Sequence, residues 1–168
     1  EYTSNYRLWE GLLGYATEAG LGMQLHLAET KGEVESCQER TGMGPGELLN
    51  CHNLFCVPTT AAGCTYLEPE ERKLLGKHKV TAVATPVAAA KAGWAATPIL
   101  ESVKAGMNVA LGTDGMSSHN SADFFSDLKL AACLHKGIRR DPTAVTARQA
   151  LYMATAGGAL ALGRRDTG

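Results

Sequence analysis

Apolar positions along the chain switch repeatedly between helical spacing and short continuous runs. Leu8, Trp9, Leu12, Leu13, Ala16 and Ala19 recur at helical spacing behind a Thr3-Ser4-Asn5 cap, and Gly20 and Gly22 punctuate the end of that helix. A short apolar run, Met23–Leu27, follows and reads as a strand. Thr30 caps a second helix from 31 to about 40, with Glu33 in the capping-box position. The stretch Gly42-Met43-Gly44-Pro45-Gly46 then breaks the chain before a short helix around 47–50.

The alternation continues from there. Residues 60–64 read as a buried strand entered through a turn at Pro58-Thr59. Pro69 suits the first position of a helix ending near His78. Residues 80–84 form a third strand, Thr97-Pro98 opens a helix that stops at Gly106, and 108–113 form a fourth strand closed by Asp114-Gly115. Ser121 caps a helix reaching His135, and Thr146 caps a last one running into Gly157-Gly158. Short strands that are apolar on both faces and separated by helices signal a parallel sheet built from βα units. The chain therefore reads as one α/β domain over 1–168. No glycine-rich phosphate fingerprint follows any strand, so the dinucleotide and P-loop classes lack their defining feature.

Composition narrows the function classes. With 168 residues, 45% hydrophobic, and a formal charge of −1, the chain carries no basic footprint for nucleic acid. No apolar run is long enough for a membrane span. The opening Glu1-Tyr2-Thr3-Ser4 has neither the basic nor the apolar region of a signal peptide, and it lacks a Met, which suggests a fragment or a processed product. Cys37, Cys51, Cys56, Cys64 and Cys133 form no CxxC pair, and are expected as reduced, mostly buried thiols of a cytoplasmic protein.

In α/β folds of this kind, polar residues at the C-terminal ends of strands are the candidate site. Here those positions are His26 and Glu29, Gly63 and Cys64, Ala84 and Thr85, and Thr113 and Asp114. An imidazole and a carboxylate at strand ends, His26 and Asp114, are suitable ligands for a divalent metal, Zn²⁺ foremost, with Glu29 placed to move a proton. The same residues are also what a core strand needs to finish: His26 bonded to a backbone carbonyl, and Asp114 in an Asx turn with Gly115. Of the remaining histidines, His119 reads as a loop residue of no special role, His52 and His78 as surface residues near helix ends, and His135 as solvated. Cys64 reads as a buried, inert thiol.

Four blocks in order, LHLAET, ALGTDG, NSADFFSDLKLAACLHKG and ALYMATAGGALALG, resemble the amidohydrolase superfamily. The likeness is to the branch with methylthioadenosine/S-adenosylhomocysteine deaminases, nucleobase aminohydrolases and triazine chlorohydrolases. It implies a metal-dependent (β/α)8 barrel of TIM type, of which this chain covers approximately strands 5–8, a C-terminal half barrel. By the resemblance, His26 is a metal ligand, Glu29 a proton shuttle, and Asp114 both a ligand and a general base. The implied reaction is hydrolytic deamination of a purine or related heterocycle, a small-molecule substrate. Three departures stand out. Gly63 holds the place of a histidine in the family's A-A-H-C, and Ala84-Thr85-Pro86 stands where the family reads H-N-P; the first-strand His-x-His pair has no counterpart. The metal site is thus incomplete, and the isolated chain is expected to be impaired, or to serve as a scaffold, binding module or piece of a larger deaminase. A half barrel leaves open strand edges, which implies a homo-oligomer or association with a complementary half.

Overall fold

The computed structural model describes residues 1–168. Four parallel strands form one sheet in the order β1-β2-β3-β4: β1 is Met23–Leu27, β2 Thr59–Gly63, β3 Thr81–Ala84 and β4 Asn108–Leu111. Register runs Leu25↔Ala61↔Ala82↔Val109 in one row and His26↔Ala62↔Val83↔Ala110 in the next. Successive side chains in a strand point to opposite faces, so these two rows belong to different sides of the sheet. The first faces the core: Ala61 and Ala82 are fully buried and Val109 nearly so, alongside Leu27, Ala84 and Leu111. The second row is mostly small, and its one polar member is the exposed His26.

Helices cover the apolar side. α1 (Tyr6–Ala19) is capped by Asn5, whose side chain accepts from Leu8 N–H, and ends at Gly20 in the left-handed conformation. α2 (Lys31–Thr41) carries the expected capping box, with Thr30 and Glu33 each bonding the other's backbone. α3 (Pro45–Cys51) and a 3₁₀ turn at Leu54–Cys56 lead into β2. α4 (Pro69–Lys77) starts on Pro69, where a missing N–H costs nothing. α5 (Pro86–Ala92) and α6 (Ile99–Lys104) lie between β3 and β4. After β4 come α7 (Met116–His119), α8 (Phe124–Arg139), α9 (Ala147–Ala154) and α10 (Ala156–Ala161).

Several boundaries differ from the sequence pattern. β4 ends at Leu111 rather than 113: Gly112 N–H still donates to Ala84 O at 2.9 Å, and beyond it the backbone reaches a left-handed φ of 60° at Asp114. Asp123, not Ser121, caps α8, its carboxylate accepting from Phe125 N–H. The last helix is broken at Thr155 into α9 and α10. α10 then packs on β4: Asn108 Nδ2 donates to Gly157 O at 2.8 Å and to Thr81 Oγ1 at 3.1 Å. A β-carbon on Gly157 would lie 2.6 Å from Val109 O, so only glycine allows this approach. No helix is long and apolar enough to cross a membrane.

The cysteines depart from the expectation of mostly buried thiols: Cys37 and Cys64 are buried, but Cys51, Cys56 and Cys133 are exposed on helix and turn surfaces.

Candidate active site at the strand ends

Because all four strands are parallel, their C-terminal ends lie at one end of the sheet, where His26 and Glu29 follow β1 and Asp114 follows β4, the two outer strands. His26 is the fourth residue of β1, on the face away from the core, with its side chain 45% exposed. Its Nδ1 lies 3.4 Å from Glu29 Oε2. Contact with the Glu29 carboxylate raises the His26 pKa above its ordinary value. Partial burial works against the rise, and the negative charges of Glu29, Asp114 and Glu33 add to it. The imidazole is thus held by a carboxylate rather than by a backbone carbonyl. Asp114 takes part in no Asx turn either, since its one hydrogen bond with a side chain is through its carbonyl, which accepts from Thr113 Oγ1 at 3.2 Å.

The loops after the first three strands are fixed by buried side chains from the helices. Glu33 turns its carboxylate back on the first loop, accepting from Ala28 N–H and Glu29 N–H at 2.8 Å each and from Thr30 N–H at 3.4 Å. Arg72 does the same for the second, donating to Cys64 O at 2.8 Å and Thr65 O at 2.9 Å. Burial lowers the Arg72 pKa, outweighing the negative charges of Glu71 and Glu68, which raise it. Thr97 Oγ1 donates to Gly63 O at 2.8 Å. Asp127 holds the third loop by accepting from Val87 N–H at 3.0 Å. The capping-box spacing signals Glu33 in the sequence, whereas no pattern marks Arg72, which reaches back to the loop before its own helix, or Asp127, whose partner Val87 is far along the chain.

Gly63 and Cys64 sit beside Glu29. Gly63 has φ +88°, and a β-carbon there would stand 2.9 Å from Glu29 Cβ and 3.1 Å from Glu29 Cα. Cys64 is fully buried, its Sγ directed at Ala61 O, and burial pushes its thiol up to about 12. It is the inert thiol expected. Ala84 and Thr85, both buried, bring no ligand to the third strand end.

Three histidines contradict their sequence reading. His119 is buried, with Nε2 2.7 Å from Asp127 Oδ2. His135 is buried too, hydrogen-bonded to the Thr97 backbone, and burial lowers its pKa. His52 is half-buried between the rings of Tyr6 and Trp9, while His78 is exposed as expected. In each buried case the partner lies on another element and is invisible to local pattern.

As donors, His26 and Asp114 suit a divalent cation in kind, one imidazole and one carboxylate. In number they fall short, as no group of three or more His, Cys, Asp or Glu side chains is placed to hold an ion.

Known proteins show what the chain is similar to. The profile of the amidohydrolase family matches residues 2–168. A 5-methylthioadenosine/S-adenosylhomocysteine deaminase from Moorella thermoacetica is 45% identical over 148 residues, covering 88% of this chain and 35% of the relative. The deaminase of the same name from Caldicellulosiruptor saccharolyticus is 36% identical, covering 99% of this chain and 39% of the relative. Among solved structures, an adenosine deaminase from Xanthomonas campestris with bound zinc superposes with a TM-score of 0.91 at 33% identity, over 96% of this chain and 37% of that one. An atrazine chlorohydrolase from Arthrobacter aurescens complexed with zinc gives 0.90 at 28% identity, over 98% of this chain and 37% of that one. The chain thus spans little more than a third of the length of these relatives.

Proposed function

The chain belongs to the amidohydrolase family, and from that premise we propose that it supplies strands 5–8 of a metal-dependent aminohydrolase barrel. The observation that carries this reading is the His26–Glu29 pair, 3.4 Å apart at the end of β1, with the Asp114 carboxylate after β4 near enough for its charge to act on His26. His26 and Asp114 would hold the ion, and the remaining donors would come from the other barrel strands. When bound, the ion supplies an electrophile that brings the pKa of a water to about 7.

The chain's own residues serve the reaction as follows. Asp114 accepts a proton from the attacking water, and Glu29 delivers a proton to the departing amine. A C–O bond forms at the heterocycle carbon as the C–N bond breaks, and ammonia leaves. Glu33 fixes the backbone of Glu29, so the carboxylate is presented without reorganisation. A purine or related heterocycle is the substrate class, in line with the names of the relatives, and the setting is cytoplasmic.

Gly63 and Ala84 favour a second reading, in which the half barrel is a catalytically degenerate scaffold or binding module. The second and third strands then end in glycine and alanine where the resemblance places histidines. In either reading β1 and β4 are open edges, so the isolated chain is expected to self-associate or to pair with a complementary half. A clean monomer in sedimentation velocity would count against this.

Ammonia release separates the two readings. The chain alone, and the chain joined to the upstream βα units of the Moorella relative, are assayed with 5-methylthioadenosine and S-adenosylhomocysteine. Release by the joined protein alone, lost in Glu29→Gln and Asp114→Asn, supports the aminohydrolase. No release by either protein supports the scaffold.

A further inference from the structure

We propose that the buried His119–Asp127 pair is a positioning clamp that fixes the loop carrying Asp114 to the start of α5, so that the ends of β3 and β4 are braced by protein contacts alone. The inference rests on reading Asp114 as a site residue.

The His119 side chain is 1% exposed and that of Asp127 is fully buried, 2.7 Å apart. One carboxylate ties three segments together: it sits on α8, takes the imidazole from α7 on Oδ2, and takes Val87 N–H from the first turn of α5 on Oδ1. That amide is one of the donors a helix start leaves unpaired. The other ring nitrogen, Nδ1, faces Ser121, with the backbone N–H at 3.4 Å and Oγ at 3.2 Å. An Nδ1 that accepts from Ser121 leaves the ring proton on Nε2, which donates to Asp127.

The clamped loop needs holding. Asp114, Asn120 and Ala122 all adopt left-handed backbone, with φ of 60°, 76° and 51°. Non-glycine residues persist there only where their surroundings enforce it. Lys91, at the far end of α5, adds a second tie, donating to Ser117 O at 2.6 Å and Asn120 Oδ1 at 2.7 Å. His119 and Asp127 touch neither His26 nor Glu29. They are positioning residues that act through the Asp114 loop.

Amide hydrogen exchange on the chain in EDTA tests the clamp. Val87, Ser118, His119 and Asn120 are expected to be protected without metal. Asparagine in place of the histidine is too short to reach Asp127, so His119→Asn should lower protection at Val87 and in the loop at least tenfold, with the β1–β3 amides unchanged. His119→Gln, whose terminal amide can donate to Asp127, should restore it. Asp127→Asn keeps the acceptor for Val87 but turns an NH₂ toward Nε2. The ring proton should then move to Nδ1, visible in the imidazole ¹⁵N shifts even if exchange changes little. Loop protection that appears only on adding Zn²⁺, an unchanged loop in His119→Asn, or an equal loss across the sheet would each overturn the proposal. Asp114→Asn should leave loop protection intact, so a failure of the clamp and a failure of Asp114's chemical role are distinguishable.

Discussion

Restoring a β-carbon at position 63 tests whether this strand end is merely an emptied ligand position. Gly63 has φ +88°, where an L-residue is disfavoured by roughly 1–2 kcal/mol. Its β-carbon would stand 2.9 Å from Glu29 Cβ and 3.1 Å from Glu29 Cα, atoms that cannot swing aside as a side-chain tip can. Overpacking of this kind costs about 1–3 kcal/mol. The lower conformational entropy of unfolded alanine returns about 0.4–1 kcal/mol. Gly63→Ala should therefore destabilise the chain by roughly 2–4 kcal/mol, a large part of the ~5–15 kcal/mol that holds a domain folded. With a urea slope of about 2 kcal/mol/M, the midpoint should fall by about 1–2 M. Gly11→Ala on α1 is the control, since nothing lies within 4 Å of its added carbon. It should be stabilising by up to ~1 kcal/mol. If Gly63→Ala proved as mild as Gly11→Ala in urea unfolding, the close approach of Glu29 would be refuted. Gly63→His would then be a simple restoration of a side chain instead of a displacement of Glu29, the proposed proton shuttle.

Two further outcomes follow from burial. His135 is held neutral by desolvation, so its folded pKa lies below the unfolded value of about 6.5. Between those values the unfolded chain binds more protons, and stability falls as pH drops below about 6.5. His26 is shifted the opposite way, so the test is the difference: His135→Gln should lose less stability than the unsubstituted chain between about pH 7.5 and 5.5, and an equal loss would contradict the burial of His135. Iodoacetamide should label Cys51, Cys56 and Cys133 in the folded chain, with Cys37 and Cys64 modified only in denaturant. Native labelling of Cys64, seen by peptide mass mapping, would show that its thiol is not buried.

The parts of the fold legible in the sequence are those set by local chemistry. All four strands lie within a residue or two of the apolar runs that predict them, and Thr30 with Glu33, Pro69 and Thr146 start helices as their types demand. α5 is missed because PVAAAKA, four of its seven residues alanine, is too short and uniform to show an amphipathic period. The site divides in the same way. His26, Glu29 and Asp114 are visible as polar residues ending apolar strands. The side chains that hold the neighbouring loops after β2 and β3 are not, because Arg72 meets Cys64 and Asp127 meets Val87 only once the helices pack. His119 and His135 look like loop and surface residues for the same reason. Gly63 reads in the sequence as a lost histidine, and the structure adds that its neighbour Glu29 occupies the space a side chain would need.

Zinc content after exhaustive dialysis, measured by mass spectrometry on the chain alone, tests most directly whether this polypeptide carries part of a metal site or all of one. With His26 and Asp114 as its only candidate ligands, and no cluster of three, it should retain well under one ion per chain. One tightly held zinc per chain would contradict that division of the site.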